Sequence, residues 1–169
     1  MGRPTQTQAL SIWTNGMRVG TWRMGGRSGM SLQYDPDWMK SPLGRPLSLS
    51  LPFGMDNTPL KGPAVDNFFD NLLPDNDTIR RRLAARFKTA TTDAFDLLRA
   101  IGRDCVGSVQ LLGEDDAPLN VMCIEGTPMT DSEVEQHLLR VVNNPAAMGN
   151  QTDDNELRIS LAGAQEKTA

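Results

Sequence analysis

Hydrophobic and polar positions alternate with two different periods along the chain. At its start, ALSIWT (9–14) and MRVGTW (17–22) read as two strands joined by Asn15-Gly16, the strongest short hairpin signal. Gly25-Gly26-Arg27-Ser28-Gly29 predicts a second turn, and MSLQY (30–34) a third strand with Met30, Leu32 and Tyr34 on one face. Asp35-Pro36-Asp37-Trp38 has the form of a short helical start, with proline at a first helical position. In LSLSL (47–51), Leu47, Leu49 and Leu51 alternate with Ser48 and Ser50, which predicts a half-buried strand. The flanking Pro46 and Pro52 predict an edge strand or a short one.

The period then changes. Val65, Phe68, Phe69, Leu72 and Leu73 fall on one face of a helix, which Pro74 stops. Asp77 is positioned to cap a second helix with Ile79, Leu83 and Phe87 inward and its arginines outward. Asp93 caps a third, with Ala94, Leu97, Leu98 and Ile101 as its core stripe and Gly102 as a left-handed exit. CVGSVQLL from Cys105 reads as a strand, GEDDAPLN (113–120) as a turn, and VMCIE (121–125) as the paired strand. Thr130 and Glu133 form a capping box ahead of a helix that is expected to bury Val134, Leu138, Val141 and Val142. Residues 143–156 read as a polar linker or exposed loop, and LRISLAGAQEKTA (157–169) as a strand running into a small-residue loop. Strands, then helices, then further strands favour an α+β fold over a parallel βαβ one. The expected architecture is antiparallel strands with a cluster of three helices, followed by a strand–helix–strand segment.

Composition narrows the class. The 169 residues, 38% hydrophobic and 22% charged, suit a globular chain that needs neither disulfides nor a structural metal to fold. No apolar run approaches the ~18 residues of a membrane span, and MGRPTQTQAL lacks the apolar core of a signal peptide. Cys105 and Cys123 form no CxxC and sit among apolar residues, as buried free thiols in a reducing cytoplasm do. His137 is the only histidine, which leaves little for a histidine metal site or a Ser-His-Asp triad. Asp66, Asp70, Asp75 and Asp77 read as caps and solvated positions rather than as ligands.

Charge is uneven although the net value is only −4. RRRLAARFK (80–88) is basic, and Glu114 to Glu135 holds seven acidic residues and no Lys or Arg. Such blocks most often mark solvated faces and less often docking surfaces. The two helices around 78–101 have a helix-turn-helix outline. The second, AFDLLRAIG, offers mainly apolar residues where a reader of base edges needs Arg, Asn or Gln, so direct sequence-specific DNA binding is not expected.

RPLSLSLP (45–52), NFFDNLLPD (67–75), FDLLRAIGRDCVG (95–107) and LRISLAGAQEKTA (157–169) together resemble the N-terminal part of HipA-type serine/threonine kinases, the toxins of bacterial toxin–antitoxin modules. The resemblance runs from about residue 8 to the end. It implies three parts: an N-terminal subdomain over 1–112 that packs on the kinase core, a connection over 113–156, and the opening of a kinase N-lobe over 157–169. It also implies that Ser160 corresponds to the autophosphorylated serine. Ala162, Gly163, Ala164, Gln165, Glu166 and Lys167 correspond to the loop over the ATP phosphates. Small residues there would let backbone N–H groups approach phosphate oxygens, and a phosphate on Ser160 would add about −1.5 to −2 charge beside them.

The loop has one glycine, Gly163, where the usual kinase pattern has three. The lysine strand, catalytic aspartate and metal-binding aspartate of the family have no counterpart in these residues. The chain by itself is therefore expected to be non-catalytic and to hold no cofactor, although the parent family uses ATP and Mg. Its expected role is to pack on and regulate the kinase core through Ser160 and the 162–167 loop. The alternative is a free-standing antitoxin-like module that restrains a separately encoded kinase, using the LSLSL edge and Trp22 or Trp38 as anchors. Implied partners are the rest of the kinase, in the same or a separate chain, and a HipB-like antitoxin. No membrane partner is implied, and the setting is cytoplasmic.

Overall fold

The structure is a computed structural model and describes residues 8–25, 29–103, 105, 108–118 and 128–143. A hairpin opens it. Strands β1 (Gln8–Thr14) and β2 (Met17–Gly25) are joined through Asn15 and Gly16, with φ of 50° and 76°. Two left-handed residues give a turn whose twist matches that of paired strands. Strand β3 (Gly29–Tyr34) pairs with β2, and the short helix α1 (Pro36–Lys40) follows at once. The two-residue strand β4 (Leu60–Lys61) then adds to β3.

Three helices come next: α2 (Pro63–Asp70), α3 (Asp77–Phe87) and α4 (Ala94–Ile101). Strand β5 (Val109–Gly113) returns to pair with β1, so the antiparallel sheet has the order β4-β3-β2-β1-β5. Helix α5 (Asp131–Asn143) is the last described element. This is the expected α+β class: an antiparallel sheet with a cluster of three helices. The strands expected over 121–125 and 157–161 lie outside the described residues.

Register explains the core. Leu10, Trp22, Leu32 and Leu60 sit directly opposite one another across β1, β2, β3 and β4. They share one face of the sheet, and Leu10, Trp22 and Leu32 are fully buried under the helices. Trp22 stacks on Phe69 of α2 with ring centroids 3.9 Å apart and planes 13° apart, and it meets Phe95 of α4 at 4.9 Å. The α2 stripe predicted from spacing therefore faces the sheet, with Val65, Phe69, Leu72 and Leu73 buried and Phe68 partly so. On the opposite face Ser11 is buried, with its hydroxyl donating to the Leu112 carbonyl at 3.2 Å. Trp13 covers that position and donates its Nε1–H to the Ser11 hydroxyl at 2.9 Å.

Several local expectations are corrected. LSLSL is not a strand. The Ser48 hydroxyl accepts from the Ser50 backbone N–H, and the Leu51 N–H donates to the Ser48 carbonyl, so the segment closes as a turn. Serine bonding to its own backbone competes with a sheet ladder, and here it wins. Asn76, not Asp77, caps α3, its side chain accepting from the Thr78 and Ile79 N–H groups. Asp93 occupies the cap position of α4 without a side-chain bond there; instead the Thr91 hydroxyl accepts the Asp93 N–H and donates to Asp96. Gly102 leaves α4 at φ −71°, not left-handed. Its need is space, because a Cβ there would lie 2.7 Å from the Leu111 Cβ. Trp22 and Trp38 are 0% and 4% exposed, so both are core residues and not surface anchors.

Not all α3 arginines point outward. Arg80 turns back to α2, with Nη1 2.7 Å from Asp70 Oδ1, Nη2 3.1 Å from Oδ2 and Nε 2.6 Å from the Pro74 carbonyl. This forked pairing ties the first turn of α3 to the end of α2. Arg81 and Arg82 are exposed, and Leu83 is buried beneath them.

Replacing Phe69 with alanine is expected to destabilise the fold by about 3–5 kcal/mol, because the stack on Trp22 is lost and a cavity is left. Phe68→Ala, at a partly exposed position, is expected to cost clearly less. Urea unfolding followed by tryptophan fluorescence measures both.

Candidate functional site

Two surfaces stand out because they expose large apolar side chains. The first is the irregular stretch between α1 and β4. Its anchor is built from the end of β3. Asp35 caps α1, accepting from the Asp37 N–H at 2.9 Å, and Pro36 begins the helix. One turn later Trp38 points inward and donates its Nε1–H to the Arg45 carbonyl at 2.9 Å. Tyr34, 3% exposed, donates its hydroxyl to the Leu51 carbonyl at 2.6 Å and accepts the Leu47 N–H at 3.0 Å. Its ring meets Phe53 edge-on at 4.7 Å. Asn57, at a left-handed φ of 49°, donates to the Tyr34 carbonyl and receives Gln33 Nε2–H at its own carbonyl.

The stretch is therefore held at Arg45, Leu47, Leu51, Phe53 and Asn57 by side chains from β3 and α1. Pro42, Pro46, Pro52 and Pro59 restrict its backbone further. Between these fixed points it turns apolar side chains into solvent: Leu43 is 61% exposed, and Leu49 and Met55 are fully exposed. An anchored surface loop that holds three exposed apolar side chains within thirteen residues is a candidate interaction site.

The second surface is α5. The capping box operates as predicted. The Thr130 N–H and hydroxyl donate to Glu133 Oε2 at 2.7 and 2.8 Å, and the Glu133 N–H donates back to the Thr130 hydroxyl at 3.4 Å. These bonds hold the Glu133 carboxyl below the usual range, through the Thr130 backbone first and its side chain second. The expectation that α5 buries Val134 and Leu138 is overturned. Val134, Leu138 and Leu139 line one exposed stripe, with Met129 exposed just before the helix, and no described element covers them. Val141 and Val142 continue the helix.

The other predicted positions divide clearly. The Cys105 thiol is buried as expected, donating to the Gly102 carbonyl at 3.5 Å. Cys123, Ser160 and the loop residues Ala162, Gly163, Ala164, Gln165, Glu166 and Lys167 lie outside the described residues. Helix α4, the second helix of the apparent helix-turn-helix, buries Phe95, Leu97 and Leu98 and so belongs to the core. Among the described residues no group of three potential metal ligands occurs, and no helix is long and apolar enough to cross a membrane. Sequence reasoning missed Tyr34, Gln33 and Asn57 as anchors of a loop. The available signal was a single tyrosine followed by an irregular stretch with four prolines.

Comparison with known proteins places this geometry. Residues 10–112 match the family model described as the HipA N-terminal domain. Y4mE, a candidate kinase of Sinorhizobium fredii, is 29% identical over 163 residues, covering 95% of this chain and 37% of its own length. The toxin–antitoxin complex of HipA, HipB and operator DNA from Shewanella oneidensis MR-1 contains a chain of similar fold. The TM-score is 0.59 at 24% identity, over 89% of this chain and 33% of that one. The chain thus spans about a third of the length of the relatives it matches.

Tyr34 is the only tyrosine, so absorbance near 295 nm reports it alone. Burial raises its pKa above the ordinary 10.0, only partly offset by the Leu47 N–H. A raised folded pKa means that its contribution to stability is intact below pH ~10 and is lost as pH climbs from there through the folded value. The native titration midpoint is expected above that of the urea-unfolded chain. Tyr34→Phe is expected to lower stability by about 1–3 kcal/mol, by orphaning the Leu51 carbonyl and Leu47 N–H, and to speed amide exchange at Leu47.

Proposed function

The chain belongs to the HipA N-terminal domain family, and from that premise we propose that it is the non-catalytic bracing and regulatory portion of a HipA-type serine/threonine kinase of a toxin–antitoxin module. The observation that carries this reading is the uncovered apolar stripe of α5, Val134, Leu138 and Leu139, which precedes the segment resembling a kinase N-lobe. A capped helix with such a stripe gains by packing against a further body, and the matched relatives are about three times as long as this chain. In this reading residues 1–112 form the subdomain, 113–156 connect it, and 157–169 open the N-lobe. Ser160 is the regulatory phosphorylation site, and Ala162 to Lys167 border the ATP phosphates once the kinase core supplies the rest of the site, with Mg. The setting is cytoplasmic. The Shewanella relative is solved with HipB and operator DNA, which supports a HipB-like antitoxin as a further partner.

A second reading has its own support. All five described strands lie within residues 8–113: β5 returns to pair with β1, Leu10 lying opposite Gly113, so the described sheet is assembled almost wholly from the matched region. A unit of this kind suits a free-standing antitoxin-like module that restrains a separately encoded kinase of the family.

Both readings require a complex, and coexpression with a short family kinase that lacks the region matching 10–112 tests them. The two proteins are expected to co-purify, and Leu138→Asp on α5 to weaken the complex without lowering the melting temperature. With Mg-ATP, labelling of this chain is expected only when the kinase is present, and Ser160→Ala is expected to abolish it. Absence of any complex, or labelling of the chain alone, would refute the proposal.

A further inference from the structure

The loop from Ser41 to Pro59 carries more than its share of exposed apolar surface, and it is separate from α5. We infer that this loop is a preformed docking tip whose Leu49 and Met55 enter an apolar recess on the kinase portion. The inference rests on the proposed function and names the surface through which it operates.

Three observations support it. The tips are extreme: Leu49 and Met55 are fully exposed, while Leu47 and Leu51 beside them are drawn inward. The tips are also held. Tyr34 bonds the backbone on both sides of Leu49, at Leu47 and at Leu51. The Met55 turn closes through the Asn57 N–H to the Gly54 carbonyl and is tied down by Asn57 on Tyr34. A loop fixed in this way loses little freedom on docking, which is the condition under which a protruding side chain becomes a strong contact.

The third observation is charge. Between Ser41 and Leu60 the only ionisable side chains are Arg45 and Asp56. The Asp56 carboxylate is engaged by the Thr58 N–H and hydroxyl at 3.3 and 3.0 Å. A nearly neutral, apolar tip fits an apolar recess and not a nucleic acid or an acidic peptide. The occupant we assign is the kinase portion, because the relatives carry roughly twice as much chain again beyond what this one matches.

The test uses the 169-residue chain and the same short family kinase. Leu49→Asp and Met55→Asp are expected to leave the melting temperature unchanged, since neither side chain is packed. Each is expected to weaken binding, and the pair together by roughly tenfold or more. Tyr34→Phe is expected to weaken binding too, with faster exchange at Leu47 as its signature. If the wild-type chain binds and the double variant binds equally well, the loop is not the docking tip, although the proposed function stands. If the wild-type chain does not bind at all, both fall together. If the chain alone dimerises and Leu49→Asp abolishes the dimer, the occupant is a second copy and the assignment to the kinase is overturned.

Discussion

The packing of Trp22 between the sheet and two helices is the contact on which the rest depends. Its indole lies flat on Phe69 and tilted against Phe95, so one side chain of β2 joins α2 and α4 to the sheet. Stacked aromatic pairs contribute about 0.5–1.5 kcal/mol beyond the area they bury. The arrangement has a cost, because the indole N–H is buried with no hydrogen-bond acceptor among the described residues. An unpaired buried donor costs about 1–3 kcal/mol, and here apolar contact outweighs it. With the helices seated, the Arg80–Asp70 fork sets α3 and the small Gly102 lets α4 approach β5.

The same sheet supports the loop. Tyr34 ends β3, and its register opposite Gly20 fixes where its hydroxyl sits. Only then can it bond Leu47 and Leu51 together. The exposed Leu49 and Met55 are therefore positioned by core packing two steps away. A polar group from a buried aromatic does the work that regular secondary structure does elsewhere in the molecule. Helix α5 is different in kind: its capping box makes it a well-started helix, but its apolar stripe has no described partner.

Much of the fold was legible in the sequence, for physical reasons. The hairpin at Asn15-Gly16 needs two left-handed residues, and few dipeptides supply them. The α2 and α4 stripes recur at helical spacing because each must face the sheet. The family resemblance rested on four spaced segments, and the match over residues 10–112 bears it out. The misreadings share one cause. LSLSL has the alternation of a strand, but its serines satisfy the backbone locally. The α5 pattern tells which face is apolar and not what covers it. Arg80 looks solvated until its partner ten residues earlier is seen. The candidate site was least legible, since Tyr34 and Asn57 act on residues more than a dozen positions away.

The pairing of β1 with β5 also governs how the chain can fold as it is made. Leu10 and Gly113 are neighbours in the sheet yet about a hundred residues apart in the chain. During synthesis the first hairpin can form early, but one flank of β1 must wait, unpaired, until β5 emerges from the ribosome. Late closure of this kind is slow, and it leaves a strand edge open to wrong partners in the interval. The helices made in that interval can already shield Trp22, so the growing chain covers its apolar face before it seals its edge.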